Sequence, residues 1–145
     1  MKIFSAILIT SMFFTIPTWK TNFNEAEIEA SKNNELMLLN FSGSDWCLPC
    51  IRLKKTIFDS EDFTAFASDK LVLVNADFPR QKKHALPAEQ KKMNEALAEK
   101  YNPEGKFPYT LLLSADGKIL KQWDGIPDVS DKQFIDEIKQ VDANR

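Results

Sequence analysis

Residues 36–50, Leu-Met-Leu-Leu-Asn-Phe-Ser-Gly-Ser-Asp-Trp-Cys-Leu-Pro-Cys, run from a nearly unbroken apolar stretch through a turn into two cysteines spaced by two residues. The stretch Leu36–Phe41 reads as a strand covered on both faces, since neither side of it alternates toward water. Ser42-Gly43-Ser44 ends it, and a helical pattern follows from about Cys47 to Phe58. Cys47 therefore stands where a helix begins. Unpaired backbone N–H groups and the helix dipole favour an anion at that place, which lowers a thiol pKa below its usual ~8.5 and populates the thiolate. This predicts Cys47 as a nucleophile that attacks a substrate disulfide, and Cys50, one helical turn inward, as the thiol that resolves the mixed disulfide. Pro49 suits an N-terminal helix position, where its missing N–H would be unpaired anyway, and Trp46 offers an apolar wall beside the reactive sulfur.

Two other uses of the pair carry less weight. A permanent crosslink over so short a loop stabilises less than the ~3 kcal/mol of a 15-residue loop. A tetrahedral metal site wants about four ligands, and the chain holds two cysteines and one histidine, His84. Neither a metal nor a cofactor is expected. His84 falls in the polar stretch 80–92 (RQKKHALPAEQKK), which reads as a solvated loop and helix start with no assigned function.

Outward from this centre, Trp19, Phe23, Ala26 and Ala30 space as one face of a helix over roughly 19–32, stopped at Asn33-Asn34. Ser60 opens a second short helix bearing Phe63 and Phe66, and Leu71–Val74 repeats the buried-strand signature. Pro87, at a first helical position, opens a helix with Met93, Leu97 and Tyr101 on one side, closed by Asn102-Pro103. Thr110–Leu113, a turn at Asp116-Gly117 and Ile119–Trp123 form a hairpin signal, and Ser130 with Gln133 caps a last helix bearing Phe134, Ile135, Ile138 and Val141. The order predicts an α/β fold, a mixed central sheet with helices on both faces.

Ahead of all this, Ile3–Ile16 carries no charged residue and follows Lys2. Its length suits a signal-peptide apolar region rather than the ~20 residues of a bilayer span. Residues 1–17 are expected to be an export signal and 18–145 the working domain, an uncut membrane anchor being the competing reading. Export would place the thiols in an oxidising, extracytoplasmic or periplasmic setting.

Composition narrows the functions further. The 145 residues are 43% hydrophobic and 28% charged, the make-up of one soluble globular domain. Nineteen Lys and Arg against 21 Asp and Glu give a net charge of -2. No field of one sign points to a nucleic-acid partner.

Over residues 19–145 the chain resembles the thioredoxin family. The resemblance rests on the buried strand leading into Ser44-Asp45-Trp46-Cys47-Leu48-Pro49-Cys50, on Phe107-Pro108-Tyr109-Thr110 and on the Asp116-Gly117 hairpin. Cys50–Phe58 with Asp59-Ser60 looks like exported thioredoxin-like reductases, including the C-terminal domain of the membrane thiol:disulfide interchange reductase. The resemblance implies a thioredoxin fold and a cis peptide between Phe107 and Pro108 packed against the cysteines, presenting the Phe107 backbone to an extended substrate segment. It also implies an exported thiol:disulfide oxidoreductase that reduces protein disulfides, with Trp46, Pro49, Phe107 and Pro108 contacting the substrate. Its partners would be disulfide-containing proteins and a separate thiol electron donor, and a membrane only if the N-terminal segment stays uncut. An oxidase or isomerase of the same fold, and a redox-silent peptide-binding module, remain as alternatives. One departure stands out. Asn40 occupies the position where many thioredoxins carry a buried aspartate, so Cys50 would lose its proton to water or another group. Lys54 and Lys55, a turn beyond Cys50, read first as exposed helix lysines.

Overall fold

A computed structural model describes residues 16–145. The leader expected at 1–17 therefore lies, up to residue 15, outside the described residues. Among the described residues no helix is long and apolar enough to cross a membrane.

The chain forms, in order, β1 (Trp19–Lys20), α1 (Phe23–Asn33), β2 (Leu36–Ser42), α2 (Leu48–Leu53), α3 (Glu61–Lys70), β3 (Leu71–Asp77), α4 (Ala88–Tyr101), β4 (Tyr109–Leu113), β5 (Ile119–Asp124) and α5 (Asp131–Ala143). The strands make one sheet in the order β1-β3-β2-β4-β5. β2 pairs parallel with β3 and antiparallel with β4, and β4 pairs antiparallel with β5. The mixed sheet with helices on both sides is thus present, and all seven residues of β2 are buried.

Alternation along β2 and β3 divides the core in two. Met37, Leu39 and Phe41 join Val72, Val74 and Ala76 under α1 and α4. Leu36 and Leu38 join Leu71 and Leu73 on the opposite face, where Leu53, Phe58, Phe63, Phe134 and Ile138 close over them. Helix ends follow local chemistry. Ser60 Oγ accepts from the N–H of Phe63, and Ser130 and Gln133 form a reciprocal capping box at the start of α5. In the β4–β5 hairpin, Gly117 holds φ +80°, and a Cβ there would lie 2.7 Å from the Tyr101 hydroxyl. That hydroxyl donates to the Gly117 carbonyl at 2.8 Å.

Three expectations need correction. Trp19 is not helical: it sits in β1, paired with Leu73, and its ring lies 5.0 Å from that of Phe58. The helix begins later because Asn22 Oδ1 accepts from the N–H groups of Asn24 and Glu25, so the spacing from Trp19 to Phe23 is not that of one helical face. The helix expected over 47–58 is two pieces, with a π-helical turn over Lys54–Phe58 that buries the consecutive Ile57 and Phe58. Pro87 caps α4 from outside its first turn rather than occupying it.

Candidate active site

On the α2 side of the sheet, alternation that buries Leu36 and Leu38 continues into polar residues at the carboxyl end of the strands. The register sets Asn40 opposite Asn75 and Thr110, and Ser42 opposite Asp77. Thr110 Oγ1 donates to Asn40 Oδ1 at 3.0 Å, and Asn40 Nδ2 donates to Asn75 Oδ1 at 3.0 Å. Ser42 Oγ lies 3.2 Å from Asn75 Oδ1 and 3.3 Å from Asp77 Oδ1. Asp77 in turn accepts from the Ser44 N–H at 2.9 Å and from the Ser44 hydroxyl. Every buried side-chain polar atom among the described residues has a partner, as buried groups of this kind require.

β2 delivers the chain to this end, and Gly43 turns it. The N–H of Cys47 donates to the Gly43 carbonyl at 2.9 Å, and Cys47 becomes the N-cap of α2 with extended backbone. Its Sγ accepts from the N–H of Cys50 at 3.2 Å. A side-chain atom at an N-cap is where unpaired helix N–H groups converge, so negative charge on this sulfur is stabilised in place. Cys47 and Cys50 form a disulfide with Cα atoms 5.2 Å apart. Both residues are buried, whereas Leu48 beside them is 76% exposed and Ile51 44%. Pro49 lies within the first turn of α2. Behind Cys50 opens a cavity of about 470 Å³, lined by Asn40, Ser42, Asn75, Ile51 and Phe58 among others. Asn40 and Cys50 thus line one cavity.

On the other flank stand the aromatic residues. The Trp46 ring meets that of Phe107 edge-on at 5.5 Å, and Phe107 meets Phe78 in the same way at 5.5 Å. The Phe107-Pro108 peptide is cis, and the Pro108 carbonyl accepts from the N–H of Gly125 at 2.9 Å. Trp46 Nε1 donates to the Phe78 carbonyl at 2.8 Å. Trp46, Cys47 and Phe107 are thereby brought to one corner of the molecule.

Gly43 is required by this arrangement, because a Cβ on it would fall 2.6 Å from Trp46 Cζ2. The ring is pinned on several sides and has nowhere close to retreat. Gly43→Ala is therefore expected to lower stability by about 1–2 kcal/mol through overpacking and to displace Trp46, read as a change in tryptophan emission. Unchanged emission and stability would contradict this, showing that a Cβ at position 43 is accommodated without displacing the ring.

The loop after β3 holds residues that sequence reasoning missed. The Asp45 side chain, 4% exposed, accepts from His84 Nδ1 at 2.9 Å. It also accepts from the main-chain N–H groups of Arg80 and Gln81 at 2.9 and 3.0 Å. The Arg80 hydrogen bond, more than the His84 contact, holds the Asp45 carboxyl below its ordinary value of 3.8 against the opposing effect of burial. A depressed carboxyl stabilises the fold above that ordinary value, and the contribution is lost as pH falls through the lowered one. The Arg80 guanidinium lies 3.5 Å above the Trp46 ring. His84, expected to be a solvated surface residue, remains about half exposed, at 47%, while its ring nitrogen ties the loop to Asp45. The stretch 80–92, expected to be a solvated loop and helix start with no assigned function, does run largely exposed into α4 at Ala88, and it is also fastened at its start to the residue before Trp46. Lys54, exposed as expected, pairs with Asp59 on the surface at 2.7 Å.

Comparison with known proteins agrees with this architecture. A family model described as a thioredoxin-like domain matches residues 23–142. The chain is 37% identical over 102 residues to the disulfide bond reductase DsbH of Chlamydia pneumoniae, covering 70% of this chain and 59% of that protein. It is 34% identical over 97 residues to the thioredoxin-related protein DsbJ of the same organism, covering 66% of this chain and 27% of that protein. The match thus spans about three fifths of the first relative and about a quarter of the second. A solved structure of a DsbH oxidoreductase superposes with a TM-score of 0.81 at 26% identity, covering 97% of this chain and 96% of the other. The C-terminal domain of Neisseria meningitidis DsbD in its oxidised form shares the fold, with a TM-score of 0.56 at 16% identity over 81% and 90% of the two chains. With its mixed five-stranded sheet, its Cys-x-x-Cys pair at the head of α2 and a family match over most of its length, the chain belongs to the thioredoxin-like domain family.

Proposed function

We propose that this chain is a thiol:disulfide oxidoreductase that reduces protein disulfides outside the cytoplasm. The observation that carries this reading is the placement of Cys47: its sulfur is the N-cap of α2 and accepts the N–H of its own partner, Cys50. In the reduced protein the Cys47 thiolate attacks one sulfur of a client disulfide, and the client's other sulfur leaves as a thiolate. Cys50 then loses its proton and attacks Cys47, the mixed disulfide breaks, and the client departs with both sulfurs reduced. Two electrons have moved, and Cys47-Cys50 is left as a disulfide. A separate thiol donor must reduce it again, because the chain has no further cysteine. Dithiol exchange calls for no cofactor.

Trp46, Pro49, Phe107 and Pro108 serve as the substrate-contacting wall, supported by the ring contact between Trp46 and Phe107 beside Cys47. The reducing direction is supported by the relative named a disulfide bond reductase, and export by the apolar, uncharged residues 3–16 behind Lys2. The test is catalysed reduction of insulin disulfides with dithiothreitol as donor. The expected result is acceleration that scales with protein concentration. Failure to accelerate it, together with efficient oxidation of a reduced unfolded protein, would transfer the assignment to an oxidase.

A further inference from the structure

We propose that the loop 80–84 (Arg80-Gln81-Lys82-Lys83-His84) is a recognition surface for an acidic segment flanking the reacting cysteine of the partner protein. The inference rests on the reductase reading given above and adds to it the chemistry of the partner.

Three observations meet here. All five residues are exposed, and among the described residues neither Arg80 nor Lys82 nor Lys83 forms an ion pair with a carboxylate. The acid that fastens the loop from the turn before Trp46, Asp45, is withdrawn from the surface, its oxygens occupied by two main-chain N–H groups and the His84 ring. The charges therefore stand uncompensated on a chain whose net charge is -2. The loop is also held in place rather than free, with Gln81 Nε2 donating to the Asp45 carbonyl at 3.0 Å. A preorganised set of charges loses less freedom on binding than a mobile one. Finally, the loop begins at the site itself, since Arg80 covers Trp46, the residue before Cys47. A client threading past Trp46 and Phe107 to reach Cys47 would meet these cations next, and opposite charge there raises the rate of productive encounter.

The test uses three synthetic peptides, each with one cysteine activated as a mixed disulfide with 2-thiopyridine and flanked by aspartates, lysines or serines. Attack of the Cys47 thiolate on the peptide sulfur breaks the disulfide and releases the pyridine thiol, which is followed by absorbance. Rates with the reduced protein are divided by those with mercaptoethanol, which removes the effect of the flanking charges on the disulfide itself. At low salt the aspartate peptide is expected to react about 10-fold faster than the lysine peptide. That ratio should fall toward one as salt rises from about 0.01 M to 1 M and the screening length shrinks from about 30 Å to about 3 Å. Lys82→Glu/Lys83→Glu, which leaves Arg80 on Trp46 and His84 on Asp45, is expected to erase or invert the preference while leaving the serine peptide's rate unchanged. A ratio near one in the unaltered protein, or a ratio the double variant does not move, overturns the inference and leaves the reductase reading standing. A serine peptide that fails to react at all overturns both. Adsorption to anionic phospholipid vesicles that is lost in the double variant, with no peptide preference, would reassign the loop to a membrane surface.

Discussion

Replacing Cys47 by alanine is expected to lower the rate of disulfide reduction by at least about 10³-fold, since the remaining thiol, Cys50, is buried within α2 and lacks the N-cap position that stabilises a thiolate. Cys50→Ala should act differently. Cys47 keeps its place at the head of α2 and still attacks, but the client remains attached. Covalent adducts should therefore accumulate and disappear on treatment with excess dithiothreitol. Neither change should unfold the protein. A crosslink closing so short a loop contributes about 2 kcal/mol by chain entropy, and the two cores on either side of the sheet are untouched by either substitution. Full activity in Cys47→Ala, or adducts in Cys47→Ala but not in Cys50→Ala, would reverse or remove the assigned roles.

Asn40→Asp is expected to make stability strongly dependent on pH. Asn40 is 6% exposed, and its Nδ2 donates to Asn75 Oδ1 while its Oδ1 receives the Thr110 hydroxyl. A protonated aspartic acid can reproduce both contacts. A carboxylate cannot, because it would set an oxygen against Asn75 Oδ1 in a buried site, so the charged form is disfavoured by desolvation and by the loss of a donor. The folded-state pKa of the new acid therefore lies above its unfolded value near ~3.9. The native state then binds more protons than the unfolded one between those two values, and stability falls as pH rises from about 4 through the raised value. A rise of about two pH units corresponds to about 2.7 kcal/mol at neutral pH. Urea denaturation at pH 4 and pH 8 measures it: the variant should match the parent at the lower pH and fall behind at the higher. Parallel curves at both would mean that water already reaches and solvates this position.

The residues that were legible in the sequence are those whose meaning is local. The apolar run of β2, the cysteine spacing, the Asp116-Gly117 turn and the Ser130–Gln133 capping box each announce themselves within a few positions. Family resemblance added the cis Phe107-Pro108 peptide, which no local pattern in this chain distinguishes from a trans one. What stayed hidden depends on the pairing of β2 with β3. That register sets Ser42 beside Asp77, and so brings Phe78 and the loop after it against Trp46 across more than thirty residues. Asp45 has no sequence signature of its own because two of its partners are main-chain N–H groups and the third, His84, lies 39 residues away. Trp19 escapes a local reading for a related reason: a two-residue edge strand has no periodicity of its own, and pairing with β3 and packing against the Phe58 ring hold it in place. Asn40 was visible as a substitution, yet its donors and acceptors came only with the register.

The reduction potential of the Cys47-Cys50 pair, equilibrated against glutathione and dithiothreitol buffers, tests the central claim most directly. A reductant fed by a dedicated thiol donor should show a value near or below about -200 mV. A value near about -120 mV, that of a strong periplasmic oxidant, or a pair that exchanges only after the protein unfolds, would contradict it.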